Sequence, residues 1–200
     1  MDLLTLQPGR ILGLVGPPGA GFTRLGLSLL EAPARRGPVA FLDARGWLCP
    51  LSAVEAGLAP ERLVVVRCGD RARWAQVAAA LCEGVPAIYA EVPRGIEEAL
   101  LRRIAALARS RRVAVLLRPL GGDLPAGLAH LRLEVQEVAW EGPDAGHGRL
   151  LRRRLVVAAS GKAVGGMRRL YEVEDDGAHP LRVVPRLAPA PALAGGAAAG

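Results

Sequence analysis

The sequence has no apolar run approaching the roughly 20 residues that a membrane-spanning helix needs. The N-terminus, Met1-Asp2-Leu3-Leu4, has no basic region ahead of an apolar stretch, so it does not resemble a signal peptide. These two absences argue against membrane insertion and export. We therefore expect a cytoplasmic protein without a membrane partner.

Cysteine and histidine are scarce, with three of each. Cys49, Cys68 and Cys82 are odd in number and include no C-x-x-C pair, which argues against a disulfide framework and against a zinc site. The histidines form no cluster with ligand spacing. We therefore expect no metal ion and no cofactor.

Lys162 is the only lysine, so arginine carries nearly all of the positive charge in a chain of net charge +7. A basic chain is compatible with nucleic acid or with an acidic protein partner. An excess of Arg, Ala, Gly and Pro is also typical of a GC-rich genome. Charge alone therefore decides no function.

The pattern of apolar runs predicts an α/β fold in a chain of 200 residues with 51% hydrophobic content. Apolar runs that read as strands buried on both faces alternate with helical patterns, which is typical of a parallel sheet between helices. The predicted strands of this part are 11–15, 39–43, 63–66, 87–92 and 113–117, and the predicted helices are 22–31, 51–57, 70–82 and 97–108.

After residue 130 the pattern changes to strands joined by short turns, which predicts an antiparallel extension of the sheet. These strands are 131–140, 154–159, 170–174 and 181–184. Residues 188–200 are Ala, Pro and Gly with one leucine, and such a segment is expected to be disordered. We therefore expect one core domain over 1–187 followed by a tail over 188–200.

Residues 16–23 resemble a phosphate-binding loop with one substitution. The pattern G-x-x-x-x-G-K-[ST] uses glycines to turn backbone N–H groups toward phosphates, lysine to reach the outer phosphates, and Ser or Thr to hold magnesium. Gly16, Gly19, Gly21 and Thr23 are present, but Phe22 stands at the lysine position. Losing a charge pair worth about 4 kcal/mol at ~4 Å weakens nucleotide binding severely.

Phe22 has two interpretations. It is a core residue that covers an emptied phosphate site, or its ring stacks on a nucleotide base. Arg24 is a poor substitute for the lysine because neighbouring residues on a helix point about 100° apart. Thr23 is then expected to cap the start of the helix or to pack there, and not to bind magnesium.

The order of these elements resembles the RecA-like ATPase core over residues 8–187. Residues 39–44, VAFLDA, are similar to the second strand of RecA and include Asp43. The resemblance implies a three-layer core with a mainly parallel central sheet and C-terminal antiparallel strands. It also implies a water-activating glutamate after Ala44, but Arg45 stands there, and a cation cannot act as a general base.

The resemblance further implies an acid at the end of the fourth strand, and Glu91 is the only one available there. Together with the substituted loop, these changes predict a pseudo-ATPase without catalytic residues. Gly16, Gly19, Gly21, Phe22, Thr23, Asp43, Arg45 and Glu91 then form a vestigial nucleotide site. Asp43 and Glu91 are alternatively expected to hold Arg45 or Arg94 in ion pairs.

Among short RecA-like chains, residues 39–50, 61–68, 87–93 and 170–177 look like the ImuA proteins, especially the actinobacterial ImuA′ type. That resemblance implies a non-catalytic accessory protein of the damage-induced mutasome, which supports translesion synthesis and mutagenesis in the SOS response. The implied partner is ImuB, an inactive Y-family polymerase relative, and through it an error-prone DnaE-type polymerase. RecA is a further candidate partner.

The chain begins only a few residues before its first predicted strand, so the arm that builds RecA filaments is not expected. We expect no RecA-type filaments, and a segment of ImuB could instead add a strand to the surface that receives such an arm. DNA contact is expected to be weak or indirect. The candidates for phosphate contact are Arg149, Arg152, Arg153 and Arg154. During DNA damage we expect the protein to be located at the nucleoid.

Two other functions remain open at this point. One is an active RecA-like ATPase in recombination or damage signalling, which requires tight Mg-ATP binding despite Phe22. The other is a RecA modulator or cell-division inhibitor of the SulA type, which would bind a different partner. Ligand-induced stabilisation and the identity of the bound partner separate the three.

Overall fold

The structure is a computed structural model that describes residues 4–142, 151–177 and 181–186. Within these ranges it contains nine strands, four α-helices and short 3-10 turns at Pro60–Arg62 and Lys162–Val164. The strands are β1 (Ile11–Val15), β2 (Val39–Asp43), β3 (Leu63–Arg67), β4 (Ala87–Val92), β5 (Ala114–Pro119), β6 (Leu131–Glu141), β7 (Arg152–Ser160), β8 (Arg169–Asp175) and β9 (Arg182–Arg186). The helices are α1 (Phe22–Ala34), α2 (Pro50–Glu55), α3 (Arg71–Gly84) and α4 (Glu98–Arg111).

All nine strands form one sheet in the order β3-β2-β4-β5-β1-β6-β7-β8-β9. The first six strands in this order are parallel, and β7, β8 and β9 continue the sheet in antiparallel pairs. The predicted tail over 188–200 lies outside the described residues. The core predicted over 1–187 corresponds, in its described part, to this single sheet and the helices on it.

The orientation of β6 differs from the sequence-based prediction, which assigned residues 131–140 to the antiparallel extension. β6 pairs parallel to β1, with Leu12 beside Leu131 and Val15 beside Glu134. The segment between β5 and β6 makes this possible because it crosses one face of the sheet, where Leu124 is buried. The predicted connections after β6 do join antiparallel strands, as the short turns with Gly and Pro indicated.

Two apolar cores lie on opposite faces of the sheet. Alternate residues of a strand point to opposite faces, and accordingly Phe41 packs against α1 and α2 whereas Leu42 packs against α3 and α4. The core on the side of α1 continues under the antiparallel strands, where Leu155 and Val173 are buried. The protein therefore has three layers, with helices on both faces of the parallel part.

The starts of α3 and α1 are formed in different ways. The Asp70 carboxylate accepts a hydrogen bond from the backbone N–H of Ala72 at 2.8 Å and so caps α3, as predicted. α1 begins at Gly21, which has φ of 80° and no side-chain cap. None of the described helices is both long and apolar enough to cross a membrane.

The closest packing between α1 and the sheet occurs at Gly26, where a Cβ atom would overlap the ring of Tyr89. We expect Gly26→Ala to lower the free energy of unfolding by about 1–3 kcal/mol through overpacking. Urea unfolding monitored by circular dichroism measures this change. Gly84→Ala is the control, because nothing lies within 4 Å of its added Cβ, and an equal loss in both variants would contradict this account.

Candidate functional site

The predicted site residues meet at one edge of the sheet. β1, β2, β4 and β5 are parallel, so the segments that follow their carboxyl ends lie along the same edge. The loop over 16–23 follows β1, Asp43 is the last residue of β2, and Glu91 is the penultimate residue of β4. The structure therefore brings the loop and the two acids together, as parallel pairing requires.

Phe22, which stands at the lysine position of the loop, has a completely buried side chain. A Cβ on Gly16 would lie 3.0 Å from the Phe22 ring and 2.7 Å from Val135 of β6. The Phe22 carbonyl accepts a hydrogen bond from the Tyr89 hydroxyl at 3.2 Å. Phe22 thus packs in the core behind the loop, and its buried ring is not available to stack on a base.

The guanidinium of Arg153 lies directly against the loop at Gly21. A Cβ atom on Gly21 would overlap this guanidinium, so only glycine leaves room for it. Asp175 of β8 accepts from Arg153 Nη2 at 2.5 Å and pairs with Arg24 Nε of α1 at 3.0 Å. The Arg153 guanidinium also stacks over Trp140, with 5.5 Å to the ring centroid.

Arg153 is 8% exposed, and this burial lowers the pKa of its guanidinium, against the opposing effect of Asp175. A buried charge is tolerated only when a partner compensates for lost solvation. The Asp175 carboxylate provides that compensation and fastens β7 and β8 to the start of α1. An internal cation therefore lies beside the loop, next to the N-cap of α1.

The Thr23 hydroxyl, which would hold magnesium in a working loop, accepts a hydrogen bond from Arg118 Nη1 at 2.8 Å. Arg118 belongs to β5 and is 5% exposed. Its neighbour Tyr89 is fully buried, and this burial raises the pKa of the Tyr89 hydroxyl to about 12. The Thr23 hydroxyl oxygen thus already accepts from a positively charged group. Magnesium would need that oxygen as a ligand and would be repelled by the same arginine.

Asp43 holds backbone and not a ligand. Its Oδ1 accepts hydrogen bonds from the N–H groups of Gly46 at 2.7 Å and Trp47 at 3.2 Å, and its Oδ2 from Leu48 at 3.0 Å. The carboxylate is 1% exposed. The sequence analysis offered an ion pair as one role for Asp43, and the structure instead assigns its oxygens to this turn.

Glu91 and Arg45 form the ion pair that the sequence analysis named as one alternative. Arg45 Nε lies 3.1 Å and 3.2 Å from the two Glu91 oxygens, and Arg45 Nη2 donates to Oε1 as well. The hydrogen bond to Glu91 raises the pKa of the Arg45 guanidinium. Because Glu91 is 1% exposed, this pair is far from the solvent-screened kind that contributes little.

The candidate nucleic-acid residues do not form one exposed patch. Arg149 lies outside the described residues. Arg153 is turned inward to Asp175, and Arg154 pairs with Glu141 and Glu172, each at 3.0 Å. Arg152 is the exposed member of the three described arginines.

Sequence reasoning missed the residues that complete the site. Arg118 carried a signal, since it is a charge at the end of an otherwise apolar strand. Asp175 and Arg24 carried none, because their contact joins residues far apart in the chain. Among the described residues, no group of three or more His, Cys, Asp or Glu side chains is placed to hold a metal ion.

A solved structure, the crystal structure of the RadB recombinase, has a similar fold. It is 18% identical to this chain, covers 86% of this chain and 90% of its own, and superposes with a TM-score of 0.57. At that identity the likeness shows the fold alone: this is a RecA-like α/β protein, and the predicted fold class is confirmed. No curated protein matches the sequence.

Within that fold class, the chain belongs to the MT3502 N-terminal domain family, whose pattern matches residues 5–125. The match covers the parallel strands from β1 to β5, including the loop, Asp43, Arg45 and Glu91. Arg153 and Asp175 lie beyond it.

We expect Asp175→Asn to lower the free energy of unfolding by about 3 kcal/mol, because it leaves Arg153 buried without a carboxylate. Glu141→Gln is the matched control, since it breaks the half-exposed pair with Arg154 and should cost at most about 1 kcal/mol. Equilibrium denaturation of both variants measures the difference. Equal stability of the two would show that Asp175 does not secure Arg153.

Proposed function

We propose that this protein is a non-catalytic RecA-like accessory protein that acts by binding protein. The observation that carries the proposal is the altered phosphate loop, in which Phe22 at the lysine position is buried in the core and the Arg153 guanidinium lies against Gly21. The acids Asp43 and Glu91 are engaged by backbone N–H groups and by Arg45. Hydrolysis of ATP needs these groups free for magnesium and water.

Mg-ATP binding tests this proposal against the ATPase alternative. Wild-type protein is expected to show no rise in melting temperature with millimolar Mg-ATP, whereas a ligand at 100 times its Kd stabilises by about 2.7 kcal/mol. Phe22→Lys alone should also show none, because Arg153 still lies against Gly21. The double variant Phe22→Lys/Arg153→Ala should gain a rise.

A clear rise in the wild type, with hydrolysis of ATP, would overturn the non-catalytic proposal and favour an active ATPase. A rise in Phe22→Lys equal to that in the double variant would show that Arg153 does not block the loop. Each melting temperature is compared with that of the same variant without nucleotide, so differences in basal stability do not enter.

The finer part of the proposal concerns the partner. The runs over 39–50, 61–68, 87–93 and 170–177 resemble ImuA proteins, and this supports a role in the damage-induced mutasome, in translesion synthesis and mutagenesis. The partner in this proposal is an ImuB-like Y-family polymerase relative, which links the protein to a DnaE-type polymerase. A cytoplasmic location and recruitment to the nucleoid after DNA damage belong to the same proposal.

The free edge of β3 supports binding by strand addition. β3 ends the sheet and has the sequence LVVVR, with Val64 43% exposed and no proline or lysine to protect the edge. The opposite edge, β9, contains Pro185, which has no N–H to offer to another strand. Of the two sheet edges that the described strands form, the β3 edge therefore presents the uninterrupted apolar strand to a partner segment.

We expect Val64→Lys to weaken binding of the purified ImuB-like partner by at least about tenfold, because a charge at the edge opposes strand addition. Val184→Lys is the matched control on β9, where Val184 is 39% exposed, and it should leave the Kd unchanged. Calorimetry with the full-length chains measures both. Equal effects would argue against docking at β3.

Affinity capture from DNA-damaged cells comes before that titration. Recovery of the ImuB-like protein in near-equal amount supports the mutasome proposal. Recovery of RecA or a division protein in its place would overturn the mutasome role and select the SulA-type alternative.

A further inference from the structure

Large apolar side chains that are exposed gather between β2 and β3. Trp47 is 74% exposed, Leu51 60% and Val54 46%, within eight consecutive residues. Leu51 and Val54 are three positions apart in α2 and share one face of the helix, and Trp47 lies two residues before its N-cap, Cys49. Single exposed apolar residues are ordinary, whereas a cluster marks a contact surface. We call these three residues the Trp47 surface.

The backbone that carries Trp47 is held firmly despite this exposure. The buried Asp43 carboxylate accepts hydrogen bonds from the N–H groups of Gly46, Trp47 and Leu48. Gly46 has φ of 72°, a left-handed conformation that glycine adopts without strain. The turn is therefore fixed by an internal acid and does not need a partner to order it.

The Trp47 ring is also positioned from behind. The Arg45 guanidinium lies 4.8 Å from the ring centroid, within the range of cation–π attraction. Glu91 fixes that guanidinium in turn. A tryptophan already held in place loses little freedom on binding, which is the property of an interface anchor.

Two exposed arginines lie at the edge of the sheet where β2 and β3 end, close in the chain to the Trp47 surface. Arg67 ends β3 beside Asp43, and Arg71 is the first residue of α3. Within the described ranges neither is in an ion pair with an acid.

We propose that the Trp47 surface binds an acidic segment of the protein partner, with an apolar side chain of that segment packed on the Trp47 indole. The acids of the segment would face Arg67 and Arg71, which favours rapid association and makes it sensitive to salt. This inference rests on the proposed function and names the chemistry of its partner.

The apolar neighbours of Trp47 favour protein over nucleic acid as the occupant. A single strand of nucleic acid would use arginines for phosphates and an indole for base stacking. It would gain little from covering Leu51 and Val54, which are aliphatic. Burying those two side chains is favourable only against apolar groups, which a protein segment supplies.

The test measures the Kd of the full-length protein for the purified Y-family polymerase relative at two salt concentrations. Trp47→Ala is expected to weaken binding about 30-fold. Trp140→Ala is the matched control, because Trp140 is 47% exposed and also lies under an arginine, but on β6, which four strands separate from β3. Arg67→Ser/Arg71→Ser should reduce the salt dependence of the Kd.

A photo-crosslinking residue in place of Trp47 identifies what touches the surface. Crosslinks to a segment of the partner rich in Asp or Glu and containing an apolar residue support the inference. Wild-type affinity in Trp47→Ala, crosslinks to a basic segment, or crosslinks to a single-stranded oligonucleotide would each overturn it while leaving the proposed function intact. Failure of the wild type to bind the polymerase relative would overturn both.

Discussion

One largely buried carboxylate, that of Asp175, connects the antiparallel strands to the start of α1. It reaches Arg153 on the neighbouring strand and Arg24 on α1, and so connects the antiparallel strands to the first helix of the parallel part. Without it, two guanidiniums would face each other near a helix N-terminus that itself repels cations. The position of Arg153 against Gly21 depends on this acid.

The acids on the parallel strands have an equivalent structural role. Asp43 satisfies three backbone N–H groups of one turn, and Glu91 neutralises Arg45 in a site that water hardly reaches. Each of these carboxylates already accepts three hydrogen bonds. The bonds to Asp43 also hold the backbone of Trp47, and the bonds to Glu91 hold the Arg45 guanidinium against the Trp47 ring. The same acids thus order the end of β2 and the exposed tryptophan that follows it.

The sequence was sufficient for the fold class and for the placement of the loop, Asp43 and Glu91 along one edge. These follow from local periodicity and from the rule that parallel strands end together. The parallel pairing of β6 with β1 was missed, because the apolar pattern of a strand does not give the direction of its pairing. Arg118 and Asp175 were also missed as site residues, since Arg118 reaches Thr23 from β5 and Asp175 reaches Arg153 from β8, both far away in the chain.

Gly21 belongs to a phosphate-loop pattern, but in this protein its lack of a Cβ accommodates a side chain. In a nucleotide-binding loop, a glycine here lets the main chain approach a phosphate, whereas in this protein the same missing Cβ makes room for an arginine. In either case, a Cβ at this position would clash with the group that lies beside it. Glycine spacing alone is therefore poor evidence of a bound nucleotide in RecA-like chains. The group that lies against the glycine has to be identified before an ATPase is inferred.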